Sequence, residues 1–288
     1  MAVSFVSGIL MEGNRMQRIV TVLFACVMGA VFPSGLLAKT PVDLVLALGA
    51  DVSRSVDFDE GRLQRQGYID AFRDPQVIQA IGSGMLGRIA VGYFEWAGDG
   101  LSKIVQDWTL IEDAAGAHAF ADALTRQSPE PKRRTSVSGA ISFGLAWLDR
   151  NDFEGTRRVI DISGDGPNNS GELVVTARDR AIAAGVTING LPIMDLGHGG
   201  YGGRFNIANL DLYYRDCVIG GPGAFLIVAE SFNDFARAVR RKLILEIANL
   251  PPPAPRARIH LAQQVMPTPR IPPPCDVGEQ ILRSRDDF

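Results

Sequence analysis

An apolar run, Val42–Gly49, interrupted only by Asp43 near its start, opens the first strongly patterned part of the chain. A near-continuous apolar run is what a central parallel strand, covered on both faces, requires. Phe58–Phe72 follows with Leu63, Tyr68, Ile69 and Phe72 at helical spacing. Arg88–Trp96 and Lys103–Leu110 read as the second and third strands; their short connection predicts a hairpin, with the third strand antiparallel at the sheet edge. Asp113–Arg126 predicts a helix, and Ser136–Leu148 an amphipathic one carrying Val137, Ile141, Leu145 and Leu148. A fourth strand at Arg158–Ser163, a helix at Leu173–Ala184 and a fifth strand at Val186–Ile193 come next. A short sixth strand at Ala224–Ala229 and a helix from Phe232 to Ala248 complete the pattern, with no internal repeat. Strand and helix in turn predict an α/β fold: a Rossmann-like, doubly wound, mostly parallel six-stranded sheet, with helices on both faces and one antiparallel edge strand.

The ends of the chain break this rhythm. Arg15 and Arg18 precede the apolar run Ile19–Phe32, and Leu36-Leu37-Ala38 offers a small-residue cleavage site before Lys39. That order predicts an export signal over residues 1–38, with Met1 and Met16 both open as the start. The run is short for a membrane span and ends in Pro33 and Gly35, so contact with the membrane is expected only through this segment. Pro251–Pro255 then opens a proline-rich tail over residues 251–288, read as extended chain without a core of its own. The folded domain is therefore expected over residues 39–250, in an exported protein, periplasmic or secreted.

Composition narrows the function. With 46% hydrophobic and 21% charged residues over 288 positions, the chain can bury a sizeable core. A net charge of −3, a pI near 5.7 and the lack of a basic, aromatic-interleaved patch argue against nucleic-acid binding. Cys26 lies within the signal, which leaves Cys217 and Cys275 either to pair in an oxidising compartment or to remain as two thiols.

Candidate chemistry gathers at the ends of the apolar runs. Asp51-Val52-Ser53-Arg54-Ser55 follows the first strand, Asp165 follows the fourth within Ile162-Ser163-Gly164-Asp165-Gly166, and Thr135 precedes the helix that begins near Ser136. In an open α/β sheet, ligands collect at the carboxyl ends of the strands, so three loops bring oxygens to one edge if the first and fourth strands are neighbours. An all-oxygen set suits a hard divalent cation rather than zinc or copper. Each string alone is also ordinary turn and helix-cap chemistry.

These three motifs resemble the metal-ion-dependent adhesion site of von Willebrand factor type A domains, which is built from D-x-S-x-S, a distant Thr and a distant Asp. The resemblance covers roughly residues 41–249. More narrowly, Asp-Val-Ser-Arg-Ser-Val, Ile-Ser-Gly-Asp-Gly-Pro-Asn-Asn and Asp-Cys-Val-Ile-Gly-Gly-Pro-Gly-Ala-Phe look like an uncharacterised subfamily of exported bacterial proteins with this fold. The resemblance implies a Mg²⁺ site (or Mn²⁺ or Ca²⁺). Ser53 and Ser55 would bind the cation directly, and Thr135, Asp51 and Asp165 directly or through water. It also implies a non-enzymatic role, in which an acidic residue of a protein partner takes an open coordination position. Arg54, Asn168 and His198 are then candidates for the rim that meets that partner, with Arg54 either pairing with its carboxylate or lying in solvent. Three positions depart from the usual pattern: Arg54 and Ser138 where Gly is common, and Gly164 where Thr often precedes the last Asp.

Other chemistries find less support. Gly197-His198-Gly199-Gly200-Tyr201-Gly202 matches a dinucleotide fingerprint in letters only, since Gly203-Arg204-Phe205-Asn206 does not open a helix, so no nucleotide cofactor is expected. No G-x-S-x-G elbow and no His/Cys cluster is present, which disfavours a serine hydrolase or a zinc enzyme. A Mg²⁺-dependent phosphoryl-transfer enzyme is the remaining catalytic alternative, with Asp51 as nucleophile. It lacks a second carboxylate at Ser53 and a phosphate-binding lysine loop. A metal-free structural module is the third reading.

Overall fold

A computed structural model describes residues 38–194, 207–251 and 270–286 of the protein. The expected signal segment, the loop carrying His198 and the middle of the proline-rich stretch lie outside the described residues.

Five strands form one sheet in the order β3-β2-β1-β4-β5. They are β1 (Thr40–Asp51), β2 (Ile89–Trp96), β3 (Ser102–Ile111), β4 (Phe153–Gly164) and β5 (Thr187–Pro192). β1 sits in the centre, parallel to β2 on one side and to β4 on the other, and β3 runs antiparallel at the edge. Side chains alternate across a strand. Accordingly Leu44, Leu46 and Leu48 pack with Tyr68, Phe72, Phe120 and Phe235 on one face, while Val45 and Ala47 pack with Trp147, Ile162 and Tyr214 on the other.

Helices cover both faces. They are α1 (Phe58–Arg73), α2 (Pro75–Gly82), α3 (Ala114–Leu124), α4 (Val137–Leu148), α5 (Val174–Ala183), α6 (Leu210–Tyr213), α7 (Phe235–Ile247) and α8 (Val277–Asp286). The starts are written in the sequence: Asp57 and Glu60 close a reciprocal capping box on α1, and Ser136 Oγ accepts from Gly139 N to cap α4. Helix α2 was not among the expected elements. Its signal is Asp74-Pro75, an N-cap and a proline at the first helical position, followed by buried Val77, Ala80 and Ile81.

The expected sixth strand is not a continuous strand. Residues 224–229 run beside β5: Gly190 N donates to Phe225 O, Ile227 N to Gly190 O, Ala229 N to Pro192 O, and Met194 N to Ala229 O. The rung between them belongs to Pro192, which has no N–H to donate. The pairing therefore breaks into the isolated bridges Gly190–Leu226 and Ile193–Ala229.

The end of the chain also departs from expectation, because part of the proline-rich stretch is helical and packed. Cys217 and Cys275 form a disulfide, with Cα atoms 5.4 Å apart across 58 positions. The helix beyond it leans on the loop after β4: Glu279 Oε1 accepts from Asn168 Nδ2 at 2.6 Å, and a Cβ on Gly278 would lie 1.9 Å from Asn168 O. Arg270 pairs with Asp211 at 2.5 Å on the same side. A cross-link closing so long a loop restricts the unfolded chain, so Cys275→Ser should lower the unfolding free energy by about 2–4 kcal/mol. Urea denaturation under non-reducing conditions measures this; an unchanged midpoint would show that the cross-link adds nothing.

Candidate metal centre

The first and fourth strands are neighbours, so their carboxyl ends open side by side. Asp51 is the last residue of β1 and is wholly buried. Its Oδ1 accepts from Ser53 N at 2.6 Å, the local turn that Asp favours two residues ahead of a donor. Ser53 and Ser55 place their Oγ atoms 3.0 Å apart, and Ser55 Oγ donates to Asp165 Oδ1 at 2.7 Å across 110 positions of sequence. Asp51, Ser53, Ser55 and Asp165 thus form one cluster built from two loops. Gln64 steadies it from α1: Nε2 donates to Asp51 O at 2.9 Å, while Oε1 accepts from Ser163 Oγ at 2.7 Å.

Thr135 stands on a third loop that is tied to both of the others. Lys132 N donates to Val52 O at 2.8 Å on the side of the first loop. On the other side Thr135 N donates to Asn169 Oδ1 at 3.0 Å, and Asn169 N donates back to Thr135 O at 2.8 Å. Arg134, just before it, holds a left-handed backbone (φ 66°), uncommon for a residue with a side chain and found where a loop must turn sharply. Thr135 itself is buried. Asn169, equally buried, is a residue the sequence reading missed; the Asn168-Asn169 pair after Pro167 was the available signal.

Asn168 requires a correction. An exposed rim position was expected, but the residue is wholly buried, and its side chain serves as a bracket. Oδ1 accepts from Ser138 N at 2.9 Å, and Nδ2 donates to Glu172 O and to Glu279 Oε1. It thereby joins α4, the loop after β4 and α8. Arg54 is exposed at the outer edge of the first loop, and His198 falls outside the described residues.

The electrostatics of the cluster are unusual. Burial first, and the Asp165 carboxylate second, push the Asp51 carboxyl well above its ordinary range, against hydrogen bonds from Ser53 that lower it. Its second oxygen, Oδ2, is buried and accepts no hydrogen bond. A buried carboxylate oxygen without a donor is costly unless a positive charge completes it. Two carboxylates and three hydroxyls are also the donor chemistry of a hard cation that keeps part of its water shell. Among the described residues, no group of three or more His, Cys, Asp and Glu side chains could hold a metal. A hydroxyl-rich set of this kind is not such a group; its oxygens are donors that a divalent cation accepts.

Gly164 explains one departure noted in the sequence. A Cβ there would lie 2.8 Å from Tyr214 Oη, 2.9 Å from Asp51 Oδ2 and 3.2 Å from Trp96 Cζ2. The floor of the cluster is already filled, and only glycine fits.

With this geometry in hand, comparison with known proteins places the chain. A family model described as "Protein of unknown function (DUF1194)" matches residues 41–251. The chain belongs to that family. Among solved structures it is similar to the pilus adhesin SpaC of Lactobacillus rhamnosus GG, with a TM-score of 0.52 and 14% identity over 73% of this chain and 30% of the adhesin. It is also similar to a von Willebrand factor type A protein from Catenulispora acidiphila, with a TM-score of 0.50 and 12% identity over 72% of this chain and 43% of that one. The PilB minor pilin of Streptococcus sanguinis gives a TM-score of 0.52 and 12% identity over 72% and 62%. No curated protein matches the sequence. This DUF1194 chain therefore has a von Willebrand factor type A-like fold, and it spans less than two thirds of each of these three structures.

Proposed function

We propose that this DUF1194 domain is an exported, non-enzymatic binding module whose Asp51, Ser53, Ser55, Thr135 and Asp165 hold a divalent cation, Mg²⁺ in the first instance. The bound cation would offer an open coordination position to an acidic side chain of a partner protein. The observation that carries this reading is the junction of Ser55 with Asp165 beside an Asp51 oxygen that nothing completes. Asp51 and Asp165 would supply negative charge, Ser53 and Ser55 neutral oxygens, and the Asn168 and Asn169 brackets would keep the three loops in register. Arg54, exposed at the edge, would meet the same partner carboxylate. The likeness to an adhesin and a minor pilin supports an envelope setting, as does the export-signal pattern of residues 1–38. Among the described residues no helix is long and apolar enough to cross a membrane.

The test uses the domain from residue 39 onward as immobilised bait against a cell-envelope extract. A specific partner should be retained in millimolar Mg²⁺, released by EDTA, and not retained by Asp51→Asn bait. Retention indifferent to both EDTA and the substitution would overturn the reading.

A further inference from the structure

Two unpartnered polar atoms lie close to one point beneath the candidate centre. Tyr214 is wholly buried and its hydroxyl has no hydrogen-bond partner; Asp51 Oδ2 is in the same state. Both flank one point, the place a Cβ of residue 164 would occupy, at 2.8 and 2.9 Å. Trp96 Nε1–H is unpartnered in the same region, but the atom Trp96 brings closest to that point is a ring carbon, whereas Tyr214 brings its oxygen.

The phenol is delivered there by construction. Its ring lies in a slot made by two glycines on adjacent strands: a Cβ on Gly190 of β5 would meet Tyr214 Cδ1 at 2.9 Å, and one on Gly164 of β4 would meet its hydroxyl. Tyr214 begins a π-helical turn, Tyr214–Val218, closed by Ile219 N donating to Tyr214 O at 2.9 Å. Single π-turns inside helices are often found at functional positions. That turn is held at both ends, by Tyr213 Oη accepting from Asn168 N at 3.1 Å and by the Cys217–Cys275 disulfide. The element is thus anchored to the loop that carries Asp165.

We infer that Tyr214 is a positioning residue of the metal centre: with the cation bound, its hydroxyl donates to Asp51 Oδ2 and holds that carboxylate oriented toward the cation. This inference rests on the reading of Asp51 and its neighbours as a metal centre. Chemistry supports the direction of the bond. A phenol O–H donates and a carboxylate oxygen accepts, which leaves one direction open to the pair. Groups that orient a ligand carboxylate in this way contribute to metal affinity without touching the metal.

The experiment compares the wild-type domain with Tyr214→Phe and Asp51→Asn by calorimetric titration with Mg²⁺ and Mn²⁺, together with melting curves in EDTA. Tyr214→Phe should weaken the cation's affinity by about tenfold or more, the range expected for loss of such a group, with the metal-free melting temperature unchanged. In the wild type, adding Mn²⁺ should also perturb tyrosine absorption, a signal readable even if the variant folds poorly; its absence would count against the inference. Wild-type affinity in Tyr214→Phe alongside abolished binding in Asp51→Asn would overturn the role of Tyr214 and leave the centre standing. An affinity loss that merely follows a fall in metal-free stability would also overturn it. No cation binding by the wild type, or unaltered binding in Asp51→Asn, would instead overturn the centre on which the inference rests.

Discussion

Replacing Lys242 with methionine should lower the unfolding free energy by about 3–5 kcal/mol, the largest loss expected from any single substitution outside the candidate centre. Lys242 projects from α7 into the sheet and is wholly buried, with Nζ 2.5 Å from Asp161 Oδ2 and 3.2 Å from Glu246 Oε2. Asn189 Nδ2 completes Glu246 at 2.6 Å, while Asp161 Oδ1 accepts no hydrogen bond. Removing the one ammonium leaves two carboxylates buried beside each other, and that uncompensated charge accounts for the loss rather than any intrinsic strength of the ion pair. Lys242→Met combined with Asp161→Leu should therefore recover much of the loss. Urea denaturation of the single and double variants checks both statements.

The same cluster gives a pH dependence. Burial, with Glu246 adding to it and Lys242 opposing it, pushes the Asp161 carboxyl up to about 7 from an ordinary 3.8. The folded chain then keeps a proton that the unfolded chain releases near pH 4. The stability contributed by Asp161 is fully present below about pH 4 and is lost as the pH rises through about 7. Wild-type stability should fall more steeply across that window than the stability of Asp161→Asn. Parallel slopes would place the proton elsewhere.

The second large effect concerns metal. Asp51→Asn should remove the stabilisation that Mg²⁺ gives the wild type, which mass action sets at about 2.7 kcal/mol when the free cation is at one hundred times its dissociation constant. In EDTA the same variant should be no less stable than the wild type. Asp51 stands buried against Asp165, and its Oδ2 accepts no hydrogen bond. Such a substitution relieves repulsion in the metal-free state while deleting the ligand, so the two melting curves should separate only when Mg²⁺ is present.

Much of this architecture was legible in the chain. Val42–Gly49 has the apolar pattern of a central strand, and Asp51, Ser53, Ser55 and Asp165 fall just past apolar runs, where a doubly wound sheet gathers its ligands. The interruption in the sixth strand was less visible, because it depends on which residue of β5 faces the missing rung. That residue is Pro192, and its effect appears only once the register is known. Helix α2 was legible in Asp74-Pro75 and was passed over. The bracket made by Asn168 was misread, since an Asn in a turn looks exposed until α8 is seen against it. Neither Tyr214 beneath Gly164 nor Lys242 beside Asp161 could be found from sequence. Each pairing joins positions 50 or more apart, and each residue type taken alone suggests only an ordinary core tyrosine or a surface lysine.

The central claim is that the Asp51 cluster holds a divalent cation, and calorimetric titration of the metal-free domain with Mg²⁺ tests it most directly. The account predicts saturable binding to one site in the wild type and none in Asp51→Asn. The same binding curve in both proteins, or none in either, would contradict it.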